Sequence, residues 1–457
     1  MRIEDYKNIY FIGIGGIGMS AIARYFNSIG RNVFGYDRMT TQLTTELTEE
    51  GIGMTFQEDV SQIPAMYQSK DDTLVVYTPA IPANHPQLVY FKEQQFTIKK
   101  RAQVLGLLSD NLNGIGIAGT HGKTTVSTIT AHIFKTSALG CNAFLGGISR
   151  NYQSNLLLSK DSDWMILEAD EFDRSFLQLH PQLALITSMD ADHLDIYGDE
   201  NELEKSFQDF VYHIKKGGIL VHKKGLVLDH DQLTAYTYSL IEKADFCAEN
   251  IKLVEGFYQF DLVHPEGVIR ELMFSYPGKI NVENAIAASA VAILCGVEEE
   301  ELRKALSTFK GVRRRFDYQI RNEKTVFIDD YAHHPKELWE SISSVRELYP
   351  QKKITGIFQP HLYSRTRDFA DDFATSLNLL DEVILLEIYP ARELPIEGVT
   401  SKIILKNLRV PSKLCSKDEL IELLREKDFE VLLTLGAGDI DKLVEPIRNL
   451  ISERLKC

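Results

Sequence analysis

Seven consecutive residues, Gly119-Thr120-His121-Gly122-Lys123-Thr124-Thr125, constrain the fold of this chain more than any other stretch. A small and apolar run, Gly114-Ile115-Gly116-Ile117-Ala118, precedes them and reads as a buried strand. Val126, Ile129 and Ile133 follow on one face at helical spacing. Strand, glycine loop, Lys-Thr and helix is a physical recipe for holding a nucleoside triphosphate such as ATP. Backbone N–H groups and the helix N-terminus meet the phosphates, and the Lys adds a point charge. The Thr124 hydroxyl then reaches Mg2+. The loop is shorter than the common G-x-x-x-x-G-K-[ST] pattern, because Ile117 stands where that pattern needs Gly. The plainer alternative is a strand-to-helix turn with glycines for geometry alone; Lys-Thr-Thr opening a helix straight after Gly weighs against it.

A second glycine loop lies near the start. The apolar strand Ile9-Tyr10-Phe11-Ile12 runs into Gly13-x-Gly15-x-x-Gly18, then into a helical pattern through Met19, Ile22 and Phe26. A strand over Val33-Phe34-Gly35-Tyr36 ends at Asp37. Taken alone this is a βαβ dinucleotide fingerprint. Another strand, Thr73 to Tyr77, leads into the loop Thr78-Pro79-Ala80-Ile81-Pro82.

At 457 residues one core is too few, and two to four domains are expected. The formal net charge of −15 disfavours a broad nucleic-acid surface. No apolar run approaches the roughly 20 residues of a membrane helix, and the N-terminus has no signal-peptide pattern. Cys141, Cys247, Cys295, Cys415 and Cys457 are scattered, without metal spacing, which points to a reducing cytosol.

The strand–loop–helix rhythm predicts an α/β chain of three domains with mostly parallel sheets. They are an N-terminal Rossmann-like domain over 1–108, a central P-loop ATPase-like domain over 109–313 and a C-terminal Rossmann-like domain over 314–457. Polar residues from Ser109 to Asn113 read as the first linker. From Asp195 to about residue 275 the chain is charged and weakly patterned, and no elements are assigned there.

Several strands end in residues that carry chemistry. Trp164 to Leu167 runs into Glu168-Ala169-Asp170-Glu171, and Leu183 to Thr187 runs into Asp190-Ala191-Asp192-His193-Leu194-Asp195. Glu168 and His193 with Thr124 form a candidate Mg2+ site. The cluster Arg313-Arg314-Arg315 sits at a domain junction, where an arginine can reach a γ-phosphate. In the last unit, Val326 to Asp330 leads into Tyr331-Ala332-His333-His334-Pro335, a loop suited to substrate positioning or proton transfer. Arg365 and Arg367, after His361, suit a carboxylate or phosphate.

The chain resembles the Mur ligases of bacterial cell-wall synthesis, through motifs in family order. These are Gly13 to Ser20, Gly119 to Thr125, Glu168 to Glu171, and Asp192-His193-Leu194-Asp195-Ile196-Tyr197. Asn281-Val282-Glu283-Asn284, Arg314-Arg315-Phe316-Asp317 and Asp329 to Pro335 follow. Gln359 to Arg367 and Tyr389-Pro390-Ala391-Arg392-Glu393 complete the series. The alanine-adding branch is the most similar. The resemblance implies that a UDP-N-acetylmuramate carboxylate attacks the γ-phosphate of ATP to form an acyl phosphate. The L-alanine amine then displaces phosphate. It implies that Gly119, Thr120, His121, Gly122, Lys123, Thr124 and Thr125 cradle ATP, with Asn281 and Asn284 beside the adenine. Arg315 would reach phosphate and Asp330 would lie near the nucleotide. Thr124, Glu168 and His193 would hold Mg2+. Gly15, Gly16, Ile17 and Gly18 would cradle UDP rather than NAD, with Asp37 toward the uridine. Tyr331, His333, His361 and Arg365 would surround alanine and the reacting carboxylate. Lys123, His193, Arg315, His333 and Arg365 are thus the implied catalytic set. Leu362 stands where some relatives carry Arg, and no Lys is nominated to bridge a second metal.

The implied place is the bacterial cytoplasm, with no nucleic-acid partner and no membrane insertion. The nearest rival is a recycling ligase that attaches a whole peptide to the same UDP-sugar. An NAD-dependent dehydrogenase and a nucleotide-sensing module are the readings from other classes.

Overall fold

The structure is a computed structural model that describes residues 3–110, 112–190, 197–254, 256–391 and 393–455. Its strands form three sheets. The first contains β1 (Asn8–Ile12), β2 (Asn32–Tyr36), β3 (Gly53–Thr55), β4 (Thr73–Tyr77) and β5 (Thr97–Lys100), in the order β3-β2-β1-β4-β5. Every pairing is parallel. The order reverses between β1 and β4, and ligands gather at the carboxyl ends of such a switch point. The two loops meet there: a Cβ on Gly13 would stand 2.7 Å from the Thr78 methyl.

The second sheet has ten strands. At its centre β6 (Asn113–Ala118) lies between β9 (Trp164–Glu168) and β10 (Leu183–Ile186), parallel to both. β7 (Asn142–Ser149) is parallel to β9, and β8 (Ser154–Leu157) returns antiparallel to β7. Beyond β10 the sheet continues through β11 (Ile219–Lys223), β12 (Thr234–Ser239), β13 (Phe246–Val254), β14 (Phe257–His264) and β15 (Gly267–Phe274). This corrects the reading of 195–275 as a stretch without elements. Within it, β13 and β15 are exposed along much of their length, which leaves them no clear apolar alternation.

The third sheet contains β16 (Asp317–Arg321), β17 (Val326–Asp330), β18 (Ile354–Phe358), β19 (Glu382–Leu385), β20 (Ser412–Leu414) and β21 (Val431–Leu435). Their order is β16-β17-β21-β18-β19-β20, and only β16 runs antiparallel. β17, β18 and β21 are buried throughout, which explains their continuous apolar runs.

The chain packs as two compact units: residues 1–252, 259–275 and 283–310, and residues 253–258, 276–282 and 311–457. The first unit holds the first sheet and most of the second. One apolar core runs through both, taking in Met19, Ile22 and Phe26 as well as Phe144, Phe176 and Phe210. Buried Arg24 crosses the seam. It donates to Asn155 Oδ1 at 2.6 Å and pairs with Glu50 at 2.6 Å, while Asn155 donates to Ile17 O. Among the described residues no helix is long and apolar enough to cross a membrane.

Candidate active site

The loop after β6 takes its shape from two glycines. Gly119 and Gly122 have φ of +133° and +83°, where L side chains are strained. Gly122 caps the helix α1 (Lys123–Thr136). Its first residue, Lys123, is folded back over the loop. The ammonium donates to Gly119 O at 2.6 Å and lies 2.7 Å from Glu171 Oε2 and 3.0 Å from Oε1. Glu171 is wholly buried. Burial works to lower the Lys123 ammonium, but Glu171, Asp170 and Glu168 outweigh it and hold it above the ordinary lysine value. Burial pushes the Glu171 carboxyl up to about 7 against the pull of Lys123. Two carboxylate oxygens on one ammonium favour the ionised pair.

Thr124 Oγ1 donates to Glu168 Oε1 at 3.0 Å, and Gly146 N–H donates to Glu168 Oε2 at 3.0 Å. Thr120 Oγ1 and Ser188 Oγ share a hydrogen bond, and Ser188 Oγ accepts from His121 N–H. His121 Nε2 stands 3.7 Å from Asp190. Thr125 is buried in the first turn of α1. Asn284 lies against the loop, since a Cβ on Gly122 would come 3.0 Å from its Oδ1. Asn281, three residues earlier on the helix Lys279–Leu294, donates to Pro277 O at 2.6 Å. His193 falls outside the described residues. Among those described, no group of three or more His, Cys, Asp or Glu gathers to hold a metal.

At the first sheet, Gly16 caps the helix that begins at Ile17. Gly15 N–H donates to Asp37 Oδ2 at 2.7 Å, so the carboxylate braces the loop itself. Gly18 faces Arg101, and a Cβ there would strike the guanidinium. Arg101 Nη2 in turn pairs with Asp170 Oδ2 at 2.9 Å, and Lys100 Nζ with Asp173 at 2.9 Å. Arg101 thus lies beside the first glycine loop and pairs with the acidic motif next to the second. Sequence reasoning passed over Arg101 and left Glu171 without a role. The basic run Lys99-Lys100-Arg101 at the end of β5 was the available signal.

The second unit carries the other candidates at the carboxyl ends of β17, β18 and β19. Asp330 is buried, accepting from Ser341 Oγ at 2.7 Å and from Ala332 N–H at 3.0 Å. Burial pushes its carboxyl up. The guanidiniums of Arg314 and Arg315 lie 5.2 and 4.9 Å from the Tyr331 ring centroid. Four rings follow one another: Tyr331, His333, His361 and Tyr389, at centroid spacings of 5.2, 5.7 and 5.8 Å. Leu362 has φ of +70° and caps the short helix Tyr363–Asp368, on which Arg365 is nearly buried. Glu337 was missed by sequence reasoning. It stands 3.2 Å from His333 Nδ1 and 3.9 Å from Arg315. Arg392 falls outside the described residues.

Comparisons with known proteins agree from end to end. The Mur ligase family, catalytic domain, matches residues 8–112. The Mur ligase middle domain matches 117–292, and the Mur ligase glutamate ligase domain matches 314–438. UDP-N-acetylmuramate--L-alanine ligase of Parabacteroides distasonis is 51% identical over 460 residues, covering 100% of each chain. The crystal structure of UDP-N-acetylmuramate-alanine ligase MurC from Thermotoga maritima superposes with a TM-score of 0.83 at 27% identity, covering 98% of this chain and 99% of that one. A murein peptide ligase from Psychrobacter arcticus shares the fold, with a TM-score of 0.70 at 20% identity over 97% of this chain and 98% of its own.

Proposed function

Because the chain belongs to the Mur ligase family, we propose that it joins L-alanine to the carboxylate of UDP-N-acetylmuramate, converting ATP to ADP and phosphate. One observation carries the reading beyond likeness. Arg101 lies against Gly18 of the first glycine loop and pairs with Asp170 of the acidic motif, whose Glu171 and Glu168 meet Lys123 and Thr124. Two glycine loops placed beside one acidic motif suit a UDP-linked acid and ATP that must react with each other. The same geometry disfavours an NAD-dependent dehydrogenase, since Asp37 is turned onto Gly15 N–H rather than toward a ribose.

In this reading residues 1–108 take the UDP-sugar, 109–313 take ATP and 314–457 take alanine. The donor set fits a nucleotide with Mg2+: a hydroxyl and a carboxylate held 3.0 Å apart beside a lysine. Thr124 and Glu168, with His193, would hold Mg2+, which supplies charge stabilisation at the phosphates when bound. Lys123 neutralises phosphate charge that builds as the muramate carboxylate attacks. Arg315 and Asp330 would contact the nucleotide, and Asn281 and Asn284 would flank the adenine. Phosphorylation converts a poor acyl donor into one with a good leaving group. Tyr331, His333, His361 and Arg365 orient alanine for the second step. The cytoplasm is the proposed site of action.

Phosphate release from ATP, followed together with product mass, tests this. Release that needs both UDP-N-acetylmuramate and L-alanine, with a product one alanine residue heavier, is expected. Release with a tripeptide beginning in L-alanine, and none with alanine, would assign the chain to the recycling branch instead.

A further inference from the structure

Alanine brings an ammonium group to the second step, and an ammonium cannot attack a carbonyl. A proton must first leave it. The second unit holds a histidine whose surroundings fix which nitrogen does that work. His333 Nδ1 lies 3.1 Å from Tyr331 O and 3.2 Å from Glu337 Oε2. A carbonyl and a carboxylate both accept and cannot donate, so Nδ1 must carry the proton. The lone pair of the neutral ring is therefore on Nε2, which makes no hydrogen bond among the described residues.

Glu337 is held where it can enforce this. Its Oε2 accepts from the N–H of His333 at 3.1 Å and of His334 at 3.3 Å. It is also the third residue of the helix Pro335–Leu348, where a carboxylate or an amide closes a capping box. The charged and titratable groups around the imidazole come from every neighbouring element. Glu337 faces it from the helix, and Asp330 lies at the end of β17. Arg314 and Arg315 stack on the adjacent Tyr331, and the His361 ring from the loop after β18 stands edge-on at 5.7 Å.

We propose that His333 Nε2 takes the proton from the alanine ammonium, and that Glu337 is the positioning residue that keeps Nε2 free to do so. This rests on the alanine-ligase reading above. The balance is simple. The ammonium gives one proton to Nε2, and the resulting amine attacks the acyl carbon. The carbon–oxygen bond to phosphate breaks with its electron pair on phosphate. The nitrogen's second proton ends on the released phosphate. His333 returns its proton to water.

Hydroxylamine separates this step from the one before it. It is largely unprotonated near neutral pH and captures an acyl phosphate as a hydroxamate without a base. The readout is the ratio of alanine amide to hydroxamate formed by one enzyme sample from UDP-N-acetylmuramate and ATP. The ratio is internal to the sample, so incomplete folding cancels. At pH 7, His333→Gln should lower it by about 10²- to 10⁴-fold. Glu337→Gln, which keeps the helix cap, should lower it by about tenfold or more. In both variants the ratio should recover as pH rises and free alanine amine accumulates. A ratio equal to wild type in His333→Gln and Glu337→Gln overturns the proposal, as does a loss that does not recover with pH. Wild-type enzyme that makes neither product would overturn the ligase reading, and this inference with it.

Discussion

Gly146→Ala should disable the nucleotide site while leaving the fold intact. Gly146 lies in β7, 22 residues from Glu168, and carries no chemistry of its own. Its backbone is not in the left-handed region, so alanine is tolerated conformationally. The obstacle is one side chain: a Cβ there would fall within 3.0 Å of all three carboxyl atoms of Glu168. To regain ordinary contact, the carboxylate must retreat by roughly 1 Å or more, and a misplacement of about 1 Å costs on the order of 100-fold in rate. That retreat breaks the 3.0 Å hydrogen bond from Thr124, the pair assigned to Mg2+. Stability moves little, because two terms oppose. Alanine in a strand gains about 0.5–1 kcal/mol over glycine. Loss of the Gly146 N–H to Glu168 hydrogen bond costs about 1 kcal/mol. The assay is phosphate release against Mg2+ concentration at saturating ATP, UDP-N-acetylmuramate and alanine, with a melting curve alongside. The expected result is kcat down about 100-fold, a raised Mg2+ requirement and a nearly unchanged Tm. Wild-type turnover and Mg2+ dependence in a folded variant would refute the placement of Glu168 at the metal.

Three further outcomes are expected. Lys123→Ala should reduce ligation by about 10³-fold or more, since it removes charge stabilisation of the phosphates; calorimetry should show UDP-N-acetylmuramate binding nearly intact, and unchanged turnover would count against the loop. Arg365→Ala should raise the alanine KM about tenfold or more through loss of a carboxylate partner, and unaltered alanine kinetics would remove Arg365 from the site. Asp329 is buried beside Arg314, and burial pushes its carboxyl up to about 6 from 3.8. The folded state thus holds this proton more tightly than the unfolded chain, so the group favours folding at low pH and loses that contribution as pH rises through 6. Asp329→Asn should gain about 2–3 kcal/mol relative to wild type between pH 4 and 7; a difference in unfolding midpoints that stays constant over that range would contradict it.

Much of the fold was legible because its central strands are buried on both faces. β1, β4, β6, β17, β18 and β21 write themselves as apolar runs, and the motifs sit at their carboxyl ends. Among the strands from Ile219 to Phe274, β13 and β15 were not legible because they expose too many residues to set a period. Lys123, Thr124 and Glu168 could be named from local pattern. Their partners could not, because Lys123 and Glu171 are 48 residues apart and Arg101 and Asp170 are 69 apart. Only packing of strands far apart in sequence brings such pairs together. Glu337 was hidden differently. Four residues from His333, it looks like an ordinary helix-capping residue until the ring nitrogen is seen against it.

The most direct test of the account follows an oxygen atom. UDP-N-acetylmuramate labelled with 18O in its carboxylate is incubated with ATP, Mg2+, L-alanine and the enzyme, and the released phosphate is weighed by mass spectrometry. Attack of that carboxylate on the γ-phosphate predicts one 18O in each phosphate released and one lost from the amide product. Amide formed with unlabelled phosphate would contradict the acyl-phosphate route.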